Sequence, residues 1–157
     1  DGVGSGATFI FKLDLAPTGK VASETVDKKR HSLEGLDVLI VEDSPDTLTL
    51  LSTIFRREGA NVTTAASASE ALARAVDKRP HIIISDIGMP EVDGYQLLEQ
   101  LRILPGLGDV PAIAISGYAS EEDRERALAA GYLALVPKPI DVDTLFSLIQ
   151  DLKAPAV

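Results

Sequence analysis

The sequence predicts an α/β domain in which a parallel sheet of five strands is covered by helices on both faces. Three observations lead there. Apolar runs of strand length alternate with longer segments of helical period. The runs are apolar nearly throughout, as strands buried on both faces must be. The chain of 157 residues suffices for one ordinary domain with its own core and an appendage.

The elements follow in order. "LDVLIVED" (36–43) reads as the first buried strand, and Ser44 and Pro45 offer an N-cap and a first-turn proline for the helix "DTLTLLSTIFRREG", which Gly59 ends. "ANVTTAA" is a second strand; Ser67 or Ser69 caps a second helix, "SASEALARAVDKRP", which Pro80 stops. "HIIISDIGMP" (81–90) carries the third strand. Asp93 and Gly94 start a third helix, "YQLLEQLRIL", with Leu97, Leu98 and Leu101 on one face, and Pro105 and Gly106 close it. "VPAIAISG" is the fourth strand, "SEEDRERALAAG" a fourth helix with a polar outer face, "YLALV" the fifth strand and "DVDTLFSLIQDL" the fifth helix.

Residues 1–35 are organised differently. A short alternating strand, "ATFIFKLDL", is preceded by glycines and followed by "APTGKVASETVDKKRHSLEG", which has the composition of a linker. The leading "DGVGSGA" satisfies G-x-G-x-x-A at Gly2, Gly4 and Ala7. A dinucleotide-binding loop follows a strand and opens a helix, whereas this one precedes a strand, so the cofactor reading fails.

Composition narrows the function classes. Hydrophobic residues make up 45% of the chain, but no apolar run approaches the roughly 18 to 20 residues of a membrane span, and no signal-peptide pattern opens the sequence. The expectation is a cytoplasmic segment without direct membrane contact. The absence of cysteine excludes disulfides and thiolate metal sites. A net charge of −9, with no basic-aromatic stripe to reverse it locally, repels nucleic acid. Expected partners are proteins and small ions.

In an open parallel sheet, ligands bind outside the carboxyl ends of the strands. Strand one ends at Glu42 and Asp43, strand three at Asp86, strand four at Ser116, and strand five just before Lys138. These residues share one crevice if strands one and three are neighbours. Three crowded carboxylates repel, and one would take up a proton unless something compensates. Magnesium, or manganese, is the natural compensation, being a cation of oxygen ligands that accepts one or two carboxylates together with phosphate oxygens. His81 lies at the opposite end of its strand from Asp86 and His31 in the linker, so both read as solvated or capping residues. Ser116 and Lys138 supply a hydroxyl and a fixed positive charge suited to the peripheral oxygens of a transferring phosphoryl group. A carboxylate can then be the nucleophile, forming an acyl phosphate. Taken singly, these residues read as caps, turn formers or a surface charge; their joint placement at four strand ends points to the chemistry.

The residues "VLIVEDS", "IIISDIGMPEVDGYQLL" with its D-x-x-M-P-x-x-D-G pattern, "AIAISGYAS" and "AGYLALVPKPID" resemble the receiver domain of two-component response regulators over residues 36–152. The resemblance implies the doubly wound flavodoxin-like sheet of order 2-1-3-4-5, in agreement with the element count. It implies that Asp86 accepts a phosphoryl group from a phosphohistidine. Glu42, Asp43 and the backbone carbonyl of Gly88 would hold magnesium with Asp86, and Ser116 and Lys138 would contact the phosphoryl oxygens. It also implies a cis Lys138–Pro139 bond and a switch through helix four and strand five. The sequence departs from the family where an aromatic residue often stands three positions before the lysine: Leu135 occupies that slot, and Pro137 directly precedes Lys138. Tyr118 and Tyr132 read as surface aromatics.

"DGVGSGATFIFKLDLAP" resembles the last strand region of a histidine-kinase ATP-binding domain. The implied organisation is a remnant of that domain over 1–17, a linker over 18–35 and a receiver over 36–153, as at the carboxyl end of a hybrid sensor kinase. The isolated receiver is not expected to be an enzyme, although it promotes its own phosphorylation and dephosphorylation. The expected partner is a histidine-kinase dimerisation domain or a histidine-phosphotransfer protein, docking on helix one near Leu50, Leu51 and Ile54. Two alternatives remain in view. A haloacid-dehalogenase-type phosphohydrolase also uses a strand-end aspartate, but normally within D-x-D-x-T/V, and "DIGMP" lacks the second aspartate. A binding-only receiver-like module has no chemical need for the acids, Ser116 and Lys138.

Overall fold

The computed structural model of the chain describes residues 32–153, and the readings made for residues 1–31 lie outside the described residues. Five strands, β1 (Asp37–Val41), β2 (Asn61–Ala65), β3 (Ile82–Asp86), β4 (Ala112–Ser116) and β5 (Ala134–Pro137), alternate with five helices. The helices are α1 (Pro45–Arg57), α2 (Ala68–Asp77), α3 (Gly94–Arg102), α4 (Glu121–Ala130) and α5 (Val142–Lys153). All strand pairs are parallel and the sheet order is β2-β1-β3-β4-β5. The expected fold class and order therefore hold. No helix among the described residues is long and apolar enough to cross a membrane.

Alternation along the strands builds two cores. Val38, Ile40, Ile82, Ile84, Ile113, Ile115 and Val136 face α1 and α5, where Leu51, Phe55, Leu145, Phe146 and Ile149 meet them. Phe55 and Phe146 pack edge to face with ring centroids 5.1 Å apart, joining the two helices. On the other face, Leu39, Val41, Ile83, Ala112, Ala114 and Leu135 pack against small and branched residues of α2, α3 and α4, including Ala71, Leu97, Leu98 and Ala127. Each fully buried isoleucine of β3 contributes roughly 1.5–3 kcal/mol by leaving water. The central strand is thus a rigid support for its last residue.

Side chains fix the helix starts. Ser44 caps α1 and Ser67 caps α2, while Asp93 with Gln96 and Ser120 with Asp123 form reciprocal capping boxes on α3 and α4. The observed boundaries differ from the sequence reading where the stop residue is not the breaker. Helix α2 ends at Asp77 rather than running to Pro80, because Lys78 turns extended (φ −140°, ψ 106°). Tyr132 precedes β5 instead of opening it, since Gly131 in the left-handed region (φ 112°) reverses the chain after α4. Upstream, Leu33 is fully buried and its N–H donates to Glu58 O at 2.8 Å, so the folded unit takes in the last residues of the segment read as linker.

Tyr132 corrects a second expectation. It was placed on the surface by sequence, yet it is only 3% exposed and belongs to the α2–α4 side of the core, whereas Tyr118 is 83% exposed. The Tyr132 hydroxyl donates to Gly94 O at 2.6 Å. Burial pushes its pKa up from 10.0 to about 12. The fold therefore favours the neutral phenol. This contribution to stability is complete below pH 10 and is lost as pH rises from 10 towards 12, because the unfolded phenol ionises first.

Two outcomes follow. Gly94→Ala places a Cβ 2.8 Å from both Asp86 O and Ile87 Cα, backbone atoms that have no freedom to retreat; denaturant unfolding should show a loss of about 1–3 kcal/mol or more. An ultraviolet titration of the native chain should show a tyrosinate step near pH 12 that Tyr132→Phe removes; complete ionisation near pH 10 would contradict the buried assignment.

Candidate functional site

The crevice forms because β1 and β3 are neighbours, with Val41 paired to Ser85. The residues following these pairs, Glu42 and Asp86, therefore leave adjacent strands at the same edge. Asp86 pairs with Ile115 on β4, so Ser116 lies one step beyond it; Ser116 pairs with Pro137, which puts Lys138 one step further on β5. The sheet order thus assembles residues from positions 42 to 138.

Glu42 and Asp86 are buried, and Asp43 is exposed at the rim. One carboxylate oxygen from each of these three residues lies within 4.8 Å of the others. Lys138 reaches over the group, with Nζ 3.0 Å from Glu42 Oε2 and 3.4 Å from Asp86 Oδ2. The Lys138–Pro139 peptide is cis. Glu42 Oε1 accepts the Ser44 N–H at 3.0 Å, tying the acid to the first turn of α1. Asp86 Oδ1 accepts the Gly88 N–H at 3.2 Å. Ser116 is buried, and its hydroxyl oxygen accepts the Tyr118 N–H at 3.0 Å.

Burial and then the neighbouring Asp86 charge raise the pKa of Glu42, against the opposing pull of the Ser44 N–H and Lys138. For Lys138, burial alone would lower the pKa, but Glu42 and Asp86 together outweigh it and the net shift is upward. The lysine is held charged. Even so, one ammonium is shared between Glu42 Oε2 and Asp86 Oδ2 while Asp43 adds a third carboxylate. Three clustered carboxylates with no sulfur or imidazole in the set fit a hard divalent cation such as magnesium.

His81 stands apart at the amino end of β3, where its Nδ1 accepts the Asp37 N–H at 2.8 Å. Leu51 is core, Leu50 is exposed on α1 and Ile54 is half-buried. Leu135 is buried on the α2–α4 face of the sheet. One polar feature escaped the sequence reading. Ser85 is fully buried; its hydroxyl donates to Asp86 O at 3.1 Å and neighbours the Tyr132 hydroxyl, so a polar seam runs directly behind Asp86. The only sequence signal for it is a serine interrupting an isoleucine run.

The profile of the response regulator receiver domain matches residues 38–150. The chain is 43% identical over 120 residues to an uncharacterized 14.6 kDa protein in the sodA1 3′ region of Leptolyngbya boryana, covering 76% of this chain and 92% of that protein. It is 34% identical over 115 residues to the transcriptional regulatory protein GlrR of Escherichia coli, where 73% of this chain corresponds to only 25% of the relative. Among solved structures, the receiver domain of the sensor histidine kinase PA1611 from Pseudomonas aeruginosa, with a magnesium ion coordinated in its active-site cleft, is similar at 32% identity and a TM-score of 0.68. That match covers 74% of this chain and 96% of the other. Family profile, sheet order and strand-end acids agree, and the chain belongs to the response regulator receiver domains of two-component systems.

Proposed function

We propose that this receiver is a phosphoacceptor module that takes a phosphoryl group from a phosphohistidine onto Asp86 in a magnesium-dependent reaction. The observation that carries the reading is Lys138, held charged 3.4 Å from Asp86 Oδ2 within a cluster of three carboxylates. Glu42, Asp43, Asp86 and the Gly88 carbonyl would hold the cation, which when bound neutralises charge on the phosphoryl oxygens. The Asp86 carboxylate forms the new O–P bond as the N–P bond of the donor breaks, the electron pair returning to the donor imidazole. Lys138 stabilises the equatorial oxygens, and the buried strands keep the carboxylate from moving away.

The Ser116 hydroxyl contacts the new phosphoryl group. That hydroxyl accepts from the Tyr118 N–H and keeps its own proton to donate, so a pull towards the phosphoryl oxygen is passed to the start of the loop 117–120. Helix α4 is the element best able to follow, because Ala127 is its only fully buried residue. With Leu135 already buried, no aromatic swing at that slot accompanies the change.

A helical donor fits the apolar groove beside Lys138, lined by Leu50, Leu51, Pro139, Ile140 and Val142. A kinase dimerisation domain or a histidine-phosphotransfer protein would present its histidine there. The N-terminal sequence, similar to the end of a kinase ATP-binding domain, supports an origin as the receiver of a hybrid histidine kinase.

Incubation with a small phosphodonor and Mg2+ followed by intact-protein mass measurement should show one added phosphoryl group. Asp86→Asn and a chelator should each abolish it. Labelling that survives Asp86→Asn would overturn the assignment; no labelling of the native chain by either a small donor or a phosphohistidine protein would favour a binding-only module.

A further inference from the structure

Asp86 and Lys138 must meet across a strand that carries neither, because β4 lies between β3 and β5. The acid arrives from β3 and the lysine from β5. Main-chain bonds tie each of them to β4, Ile87 N–H donating to Ile115 O at 2.9 Å and Lys138 N–H to Ser116 O at 2.8 Å, so what remains to be fixed is the turn that follows Asp86.

Tyr132 fixes that turn from the amino end of β5. Its main chain is anchored in the lead-in to β5, where its N–H donates to Ala127 O at 3.0 Å and the next residue donates to Ala112 O on β4 at 2.8 Å. Its side chain passes through the core and donates to Gly94 O in the first turn of α3. Gly94 is itself locked to the β3 exit: its N–H donates to Ile87 O at 2.9 Å. A Cβ on it would lie 2.8 Å from Asp86 O and Ile87 Cα, and 3.2 Å from the Tyr132 hydroxyl. The end of β3, the start of α3 and Tyr132 therefore converge on one point directly behind the phosphoacceptor. Ser85 adds its hydroxyl to the same seam. A phenylalanine would fill the space equally well, so what the hydroxyl adds is the fixed link to Gly94.

We propose that the Tyr132 hydroxyl is a positioning residue for phosphoryl transfer, clamping the β3–α3 turn to β5 so that Asp86 and Lys138 hold their mutual geometry. The inference rests on Asp86 being the phosphoacceptor. Of the residues that would hold the cation, Glu42 and Asp43 leave β1 on the far side of β3, whereas Asp86 and Gly88 lie on the clamped turn.

Tyr132→Phe tests it, with the rate and final extent of Asp86 labelling by a small phosphodonor measured across a Mg2+ series. The expected result is a rate lowered about 3- to 10-fold even at saturating Mg2+, with full final labelling. In the metal-free protein, amide exchange should quicken at Gly94 and Lys138, whose N–H groups bond Ile87 O and Ser116 O, while Ile84 in mid-strand keeps its native protection. An unchanged rate would overturn the clamp. So would a loss of final extent at native rate, which marks partial unfolding, or a rate restored in full at saturating Mg2+, which marks an effect on cation binding alone. Failure of the native chain to label at all would instead overturn the phosphoacceptor reading beneath it.

Discussion

Everything at the carboxyl edge answers to one electrostatic conflict: two buried carboxylates and a third at the rim, facing a single ammonium group. Removing each carboxylate from water costs several kcal/mol. A lysine at 3.0–3.4 Å returns roughly 5 kcal/mol per contact at an effective dielectric near 20. One ammonium faces three carboxylates, and the imbalance shows at Glu42, which burial and the Asp86 charge shift towards its protonated form although Lys138 lies 3.0 Å from its Oε2. A site with more carboxylates than ammonium groups has the donor set for a hard cation.

The fold exists to hold that conflict in place. Opposing carboxylates would separate if they stood on mobile loops, but β1 and β3 are central strands buried on both faces, and their exits are fixed by parallel pairing. The acids cannot relax apart without slipping a register that sets every isoleucine above and below it. Helix starts join the same frame: Ser44 couples Glu42 to α1, and Gly94 with Tyr132 couples the β3 exit to α3 and β5. The more loosely packed α4, with Ala127 as its one buried residue, lies beside this frame.

The sequence made the scaffold legible because strand burial leaves apolar runs and helix starts leave capping residues. The acids were legible for a related reason: a charge that ends an apolar run needs an explanation, and three such ends share one edge once the strand order is known. Tyr132 was misplaced because its neighbours "GYLALV" read as a strand, and because a tyrosine's exposure is not settled by local pattern. Its acceptor, Gly94, lies 38 residues away in sequence. Ser85 was visible as an interruption, but its partners came only with the tertiary structure. Leu33 was assigned to a linker because the segment before it is polar, although one apolar side chain suffices to anchor the entry to the domain against α1. The end of α2 shows the converse: a proline bounds a helix from outside without marking its last turn.

Cation binding by the crowded acids is read most directly from the unfolding free energy of the unphosphorylated chain across a Mg2+ series. Stability should rise with the logarithm of Mg2+ above the dissociation constant, and Asp43→Asn, a change at the exposed rim that leaves the core intact, should remove most of that rise. Stability indifferent to Mg2+, or a rise that survives in Asp43→Asn and Asp86→Asn alike, would contradict it.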